Sequence, residues 1–184
     1  MNRLAAVVGV TILMSGCIDR AALMKAAKEN GVIVYANGFL CDECRKETDE
    51  LANELGMAHV STRQDILEIM KAGENSCYGN HIVLHSAGCD SAYDFARWCQ
   101  HNNVGVRGVY SMEAFTQREF PVNVKKVINY RAPGKWIFGE YESGGGERNR
   151  TENISQAEHL SLPRKARKLI KAEIRGSHHR NPKR

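Results

Sequence analysis

A serine between a predicted strand and a predicted helix is the residue of this chain best suited to nucleophilic chemistry. Residues 82–84 are Ile, Val and Leu, Ser86 is followed by Ala87 and Gly88, and residues 91–101 are helix-prone. A strand that bends sharply into a helix presents a serine hydroxyl above the sheet, and the next backbone N–H, here that of Ala87, faces a developing oxyanion. The run therefore predicts a hydrolase nucleophile at Ser86.

Two features of this run leave a second interpretation open. The residue two positions before Ser86 is Leu84, where the pattern G-x-S-x-G has glycine. Serine is also a favoured N-cap, so its hydroxyl alternatively bonds an N–H at the start of the helix that follows. The choice between nucleophile and cap depends on the other groups that the fold brings to Ser86.

Two further segments fall where a serine nucleophile needs them. Asn37-Gly38-Phe39 follows the first predicted core strand, and His159 precedes the last predicted helix. With the run around Ser86, they resemble a small α/β-hydrolase of the esterase, lipase or thioesterase kind. The resemblance implies that Ser86 attacks an acyl carbonyl, His159 accepts its proton, and the N–H groups of Ala87 and Phe39 bind the oxyanion. It also implies a small ester, thioester or amide substrate and no cofactor.

The acid that would orient His159 is missing from its usual place. The family carries this acid after the penultimate strand, here predicted over residues 127–130, and residues 131–135 include no carboxylate. Glu113, after the preceding strand, is the candidate acid, with Glu142 or Glu140 as alternatives. A Ser-His pair without an acid, and a non-catalytic lipoprotein with a hydrolase-like fold, also remain open.

Cys41 and Cys44 suggest a different chemistry. They form a C-x-x-C pair between a predicted strand and a predicted helix, as in thioredoxin-like oxidoreductases, where the helix N-terminus lowers the pKa of the first thiol. That family also has a cis-proline after a later strand, and here residues 106–109 lead to Tyr110 instead. A thiol-disulfide oxidoreductase is therefore the alternative function.

The other cysteines are typical of disulfides or of small core residues. Six cysteines less Cys17 leave five, so at least one is unpaired in an oxidising compartment. Cys77, His81, His85 and Cys89 recur every four residues. A strand through the two histidines would leave both cysteines on connecting turns, so no metal site is predicted.

The first 17 residues predict export and lipid anchoring. Arg3 precedes an apolar run over residues 4–14, and Ser15-Gly16-Cys17 resembles a bacterial lipobox, whose cysteine is lipidated, for example with palmitate. The run is too short to span a bilayer comfortably. We expect residues 1–17 to be a lipoprotein signal peptide. The mature protein would then be anchored to a membrane of the cell envelope, facing the periplasm or the exterior. A buried N-terminal strand or helix is the alternative.

Alternating strands and helices must position these groups. The alternation predicts an α/β fold over residues 18–174, with a mostly parallel, doubly wound sheet. The resemblance implies a minimal α/β-hydrolase-like three-layer sandwich. Residues 136–158 are predicted as a loop, since 149–153 are polar without a period. Strands are predicted at 32–36, 57–60, 82–85, 106–110 and 127–130, and helices at 21–29, 42–55, 65–71, 91–101 and 163–174.

Basic charge is concentrated at the C-terminus. The chain has 184 residues and a net charge of +5, and residues 165–184 are rich in Lys and Arg. A basic tail can bind nucleic acid or anionic lipid. Only His178 and His179 offer rings there, so bases have no platform for stacking. Residues 175–184 are predicted to be a solvated tail, and no nucleic-acid partner is expected.

Overall fold

The described elements alternate between helix and strand at first, and five strands in succession then precede the last helix. A computed structural model describes residues 20–35, 42–60, 81–113, 118–133, 141–143, 149–158 and 160–179. The helices are α1 (Arg20–Asn30), α2 (Asp42–Leu55), α3 (Cys89–His101) and α4 (Leu162–His179). The strands are β1 (Gly31–Tyr35), β2 (Ala58–Val60), β3 (His81–His85), β4 (Gly108–Met112), β5 (Arg118–Phe120), β6 (Val127–Arg131), β7 (Tyr141–Ser143) and β8 (Asn149–Asn153).

The main sheet is parallel and doubly wound. Its six strands lie in the order β2-β1-β3-β4-β6-β8, and each neighbouring pair runs parallel. The chain leaves β1 towards β2 on one side and then returns to add β3, β4, β6 and β8 on the other. β5 and β7 form a separate two-stranded parallel sheet. The predicted α/β fold with a mostly parallel sheet is confirmed.

Side chains cover the main sheet on both faces, which produces three layers. On one face Leu84 packs in a cluster with Phe95 of α3. On the other face Val83 packs in a cluster with Leu51 of α2 and Ile170 of α4. All residues of β3 and β4 are buried. Parallel strands covered on both faces need apolar side chains in succession, which explains the run at residues 82–84.

Two helices lie where they are predicted. α2 has the predicted bounds, and it ends before Gly56, whose φ of 64° is the left-handed conformation expected at a C′ glycine. α3 contains the predicted helix 91–101, and Phe95 stacks on Trp98 with ring centroids 5.9 Å apart. The predicted helix 65–71 lies outside the described residues.

The segment predicted as a loop contains a strand of the main sheet, so that prediction is wrong. β8 pairs with β6 from Val127↔Asn149 to Arg131↔Asn153. Most of its side chains are exposed, because it is last in the strand order and buries neither face well. A strand without a buried face shows no apolar alternation. The pairing directs the chain after β8 to the carboxyl edge of the sheet.

The last helix is longer than predicted. α4 begins at Leu162 and continues to His179, so the first residues of the predicted tail 175–184 are helical. Neither α4 nor another helix in the described ranges combines the length and apolar character needed to cross a membrane.

Acidic residues of α2 bind basic residues of α4. Arg167 lies 3.2, 2.5 and 2.6 Å from Glu47, Glu50 and Glu54, and Lys171 lies 2.5 Å from Glu54. Hydrogen bonds from Arg167 and then Lys171 lower the pKa of Glu54 to about 2. The side chains of Arg167 and Lys171 are only partly exposed, and their contacts join α4 to α2. Part of the C-terminal basic charge is therefore neutralised within the fold.

Candidate active site

The predicted nucleophile lies where the winding of the sheet reverses. β1 and β3 are neighbours, but the chain continues from β1 to one side of the sheet and from β3 to the other. The crevice outside the carboxyl ends of two such strands is the usual ligand site of an open α/β sheet. Ser86 directly follows β3, so it lies at this crevice.

Ser86 has an unusual backbone conformation. Its φ is 54°, in the left-handed region that costs a residue with a side chain about 1–3 kcal/mol. It begins a short 3-10 turn, Ser86–Gly88, that leads directly into α3. The side chain is half-buried. This sharp bend from strand to helix has the features of a nucleophile turn.

The alternative role of Ser86 as a helix cap does not fit this geometry. A capping residue has an extended φ and immediately precedes the first helical residue. The N-cap of α3 is Gly88, and the φ of Ser86 is positive. Ser86 is therefore not the N-cap residue of α3.

Gly88 allows the turn to pack against β1. A Cβ at this position would lie 2.7 Å from the carbonyl oxygen of Val34 and 3.2 Å from the Val34 Cγ1. Leu84, where G-x-S-x-G has its first glycine, is fully buried in the core cluster that contains Phe95. The second glycine of the pattern is therefore a steric requirement, whereas the first position is occupied by a core side chain.

Replacing Gly88 by alanine is expected to destabilise the protein by about 2 kcal/mol, since overpacking typically costs about 1–3 kcal/mol. The clash is with backbone of β1, which cannot move aside as a flexible side chain would. The measurement is the midpoint of urea unfolding.

The matched control is Gly176→Ala in α4, where a Cβ meets nothing within 4 Å. This change should stabilise the protein by up to about 1 kcal/mol, because alanine is the better helix former. Equal effects of the two substitutions would contradict the close packing of the turn on Val34.

Glu113 and Ser86 follow neighbouring strands at the same edge of the sheet. His85 of β3 is opposite Met112 of β4, so Ser86 and Glu113 follow paired residues on adjacent strands. Neighbouring strands are about 4.8 Å apart. Glu113 has a φ of 50° and is 2% exposed, and among the described side chains it is the one buried carboxylate. A buried carboxyl group thus accompanies the predicted nucleophile.

The Glu113 carboxylate reaches the end of β6. Its Oε1 accepts a hydrogen bond of 2.9 Å from the backbone N–H of Ala132, and its own N–H donates to the carbonyl oxygen of Tyr130 at 3.2 Å. The sequence has no carboxylate after β6, where the hydrolase pattern requires one. Glu113 therefore brings a carboxylate to that place from the neighbouring strand.

His159 lies outside the described residues, but the residues on both sides of it are described. The N–H of Ile154 donates to the carbonyl oxygen of Arg131 at 2.8 Å, at the carboxyl end of β6. Ser161 Oγ accepts a hydrogen bond of 3.0 Å from the N–H of Glu158. The carbonyl oxygen of Leu160 lies 3.0 Å from the Sγ of Cys44 in the first turn of α2. The flanks of His159 are therefore at the carboxyl edge.

Other predicted site residues are described in part or not at all. The backbone of Ala87 is in the turn after Ser86. Glu142 lies in β7, which pairs with β5 in the small sheet, and only its backbone is described. β5, the partner of β7, contributes Phe120 to the cluster that contains α3. That cluster is on the face of the main sheet opposite α2 and α4. Phe39, Glu140, Cys17 and Cys41 lie outside the described residues.

Cys44 and Cys99 are both disulfide-bonded, and both are fully buried. Cys99 lies in the core cluster of α3, whereas α2 with Cys44 lies on the opposite face of the sheet. The two sulfurs therefore belong to two different disulfides. Their partners are among the cysteines whose side chains are not described. The sequence alone does not determine which cysteines are paired.

Two further alternatives concern metal ions and thioredoxin-like chemistry. Within the described ranges, no three His, Cys, Asp or Glu side chains are grouped so that they could hold a metal ion. His81 and His85, which belong to the evenly spaced Cys and His residues, are the first and last residues of β3. Every peptide bond in the described part of the chain is trans, so these residues include no cis-proline of the thioredoxin-like kind.

Sequence reasoning missed two contacts of the candidate site. The hydrogen bond from Ala132 to Glu113 is donated by a backbone N–H, so the type of residue at position 132 does not predict it. The contact of Cys44 with Leu160 joins residues 116 positions apart. Glutamate at positions 43, 47, 50 and 54 has helical spacing, and this spacing is a signal that could have predicted the acidic side of α2 that contacts α4.

Comparison of the chain with protein-family models, curated proteins and solved structures finds no match.

Proposed function

We propose that this protein is a serine hydrolase that cleaves a small ester, thioester or amide. The observation that carries the proposal is the left-handed Ser86 on a strand-to-helix turn, with the buried carboxyl group of Glu113 following the neighbouring strand at the same edge of the sheet. The chain order Ser86, Glu113, His159 is the order of nucleophile, acid and base in α/β-hydrolases. The left-handed conformation of Ser86 costs stability, which supports a functional role for this residue.

In the proposed mechanism, Ser86 Oγ attacks the acyl carbonyl and His159 accepts its proton. The carbonyl electron pair moves to oxygen, where the N–H groups of Ala87 and Phe39 stabilise it by roughly 3 kcal/mol each. The tetrahedral intermediate then expels the leaving group, which takes the proton from His159. A water molecule, deprotonated by His159, then attacks the acyl-serine ester. The carboxylic acid product is released, and the proton on His159 passes to Ser86 Oγ.

Glu113 orients the base in this mechanism. A carboxylate that accepts the imidazole N–H fixes the tautomer that can take the serine proton, and it stabilises the imidazolium that forms. The bond from Ala132 occupies one carboxylate oxygen and holds the group in place. A carboxylate oxygen accepts more than one hydrogen bond, so the group can still serve the base.

The test of this proposal is covalent labelling with a fluorophosphonate, which phosphonylates an activated serine and loses fluoride. The expected result is one adduct, on the peptide that contains Ser86, and no adduct on heat-denatured protein. Ser111, a buried serine of β4, is the internal control. Folded mature protein that stays unlabelled would contradict an activated nucleophile.

The alternative functions have less support. Cys44, the second cysteine of the C-x-x-C pair, is fully buried and disulfide-bonded, which fits a structural disulfide as well as an oxidised redox pair. The thioredoxin-like pattern also needs a cis-proline. The non-catalytic alternative rests on the acid missing after β6, and the carboxylate of Glu113, which bonds the N–H of Ala132 there, is an argument against it.

We also propose that Cys17 anchors the protein in the cell envelope. Two separate disulfides, at Cys44 and Cys99, favour an oxidising compartment outside the cytosol. Cells fed an alkynyl palmitate analogue should yield labelled protein in the membrane fraction. The variant Cys17→Ala should lose the label and remain as the uncleaved precursor. Equal labelling of both proteins would contradict the anchor.

A further inference from the structure

A hydroxyl, an imidazole and a carboxylate form a row between α2 and β2, the strand that is first in the order of the main sheet. Thr48 Oγ1 lies 3.0 Å from His59 Nε2, and His59 Nδ1 lies 3.5 Å from Asp49 Oδ1. The order of the groups is that of a Ser-His-Asp triad. Thr48 is 1% exposed, so its hydroxyl is closed to a substrate and the row is not a second active site.

The proton of the Thr48 hydroxyl is directed towards the backbone of α2. Oγ1 lies 3.0 Å from the carbonyl oxygen of Cys44 and 3.0 Å from that of Arg45, and a carbonyl oxygen only accepts hydrogen bonds. The hydroxyl therefore donates within α2, and its oxygen accepts from His59 Nε2. This contact keeps a proton on Nε2 whether the ring is neutral or charged.

The other nitrogen of the ring faces a carboxylate. An ionised aspartate only accepts hydrogen bonds, so Asp49 is bound by His59 Nδ1 when that nitrogen also carries a proton. Because Nε2 is already protonated, both bonds together require the imidazolium form. In the neutral ring the lone pair of Nδ1 would face the carboxylate, which is unfavourable. The two partners therefore jointly favour the charged histidine.

The described elements packed against β2 bring few other charges to this ring. The residues on both sides of His59 in β2 pack in the cluster that contains α1 and α3, so the His59 side chain is on the opposite face, under α2. Its neighbour in register on β1 is the apolar Ile33. α2 also carries Arg45, one turn before Asp49, with an exposed side chain. Asp49 is 55% exposed and His59 15%, so the pair has the strength of a partly exposed ion pair.

We propose that His59 is a pH-sensitive latch that fastens β2 to α2 when its ring is charged. Histidine changes its charge between about pH 5 and about pH 8. Since the folded protein favours the protonated ring, the latch stabilises the fold at acidic pH, and this contribution is lost as the pH rises through the titration of His59. Among the described strands β2 pairs with β1 alone, so the loosening is expected at β2. The latch does not depend on Ser86 being a nucleophile.

Titration of the His59 ring by NMR tests the proposal in the folded protein. Asp49→Asn should lower the titration midpoint of His59 by about half a pH unit, the equivalent of a partly exposed ion pair. Thr48→Val should also lower it, because the neutral ring can then place its one proton on Nδ1 and bind Asp49. The double variant should titrate like Asp49→Asn alone, since the effect of Thr48 acts through Asp49.

Asp42→Asn is the matched control, because it removes an exposed carboxylate from the first turn of the same helix. This variant should leave the titration midpoint of His59 unchanged. An unchanged midpoint in Asp49→Asn would overturn the latch. Additive losses in the double variant would also overturn it, since Thr48 and Asp49 would then act independently.

Hydrogen exchange shows whether the charge of His59 fastens the strand. After correction for intrinsic exchange rates, the amides of Ala58–Val60 should exchange up to about fivefold more slowly at about pH 5.5 than at about pH 8. Asp49→Asn should abolish this difference, and the amides of the fully buried strand β4 serve as the internal reference. Equal exchange of β2 at both pH values in the parent protein would overturn the latch, whatever the outcome of labelling at Ser86.

Discussion

Replacing Ser86 by alanine is expected to lower kcat for hydrolysis of p-nitrophenyl esters by at least about 10⁴-fold, the scale of loss when a serine nucleophile is removed. The side chain is small and half-buried, so the alanine protein should keep its fold. Residual turnover would come from the oxyanion donors alone. The measurement is steady-state hydrolysis with purified protein, and retention of more than about a tenth of the rate would rule out Ser86 as the nucleophile.

Ser86→Gly provides a control that separates catalysis from strain. Glycine adopts positive φ readily, whereas a Cβ in that conformation costs about 1–2 kcal/mol. The glycine variant should therefore be inactive and up to about 1 kcal/mol more stable than the alanine variant in urea unfolding. A less stable glycine variant would contradict the left-handed conformation of Ser86. The comparison also tests whether the serine is retained there at a cost to stability.

Replacing Glu113 by glutamine is expected to lower kcat by about 10³–10⁴-fold, the effect of neutralising the acid of a catalytic triad. The glutamine carbonyl can still accept the bond from Ala132, so the local structure should hold. Its amide nitrogen cannot accept the imidazole N–H, and the base is left in the wrong tautomer. KM should change little. Circular dichroism and the unfolding midpoint would show that the variant is folded at the assay temperature.

Two further glutamine variants decide between the candidate acids. Glu119→Gln changes an exposed carboxylate of β5 and should leave kcat unchanged. Glu142→Gln tests the alternative acid in β7. Loss of activity in Glu142→Gln with normal activity in Glu113→Gln would transfer the role to Glu142. Normal activity in both variants would favour a Ser-His pair without an acid.

The backbone around the nucleophile could be predicted because its signals are local. The apolar run at 82–84 indicated a strand buried on both faces, and small residues after Ser86 indicated the turn into α3. Chain order then suggested His159 as the base. β8 could not be predicted in this way, because its side chains are mostly exposed and its conformation depends on pairing with β6.

The acid illustrates why a site is harder to predict than a fold. Glu113 was one of several carboxylates after strands, and its position in the sequence gave no reason to prefer it strongly. What distinguishes it is burial to 2% exposure and a hydrogen bond from Ala132, 19 positions later. Both depend on β4 and β6 being neighbours, which no local pattern specifies.

The sequence by itself determined the four described helices, most of the described strands and the parallel α/β class, since these follow from apolar periodicity and turn residues within short windows. It also placed a serine on a strand-to-helix turn. Only the tertiary structure decided that Gly88 must pack on Val34, that Glu113 reaches the end of β6, and that Cys44 lies against Leu160. Those contacts join residues far apart in the chain, so they exist only once the sheet order and the helix packing have brought their elements together.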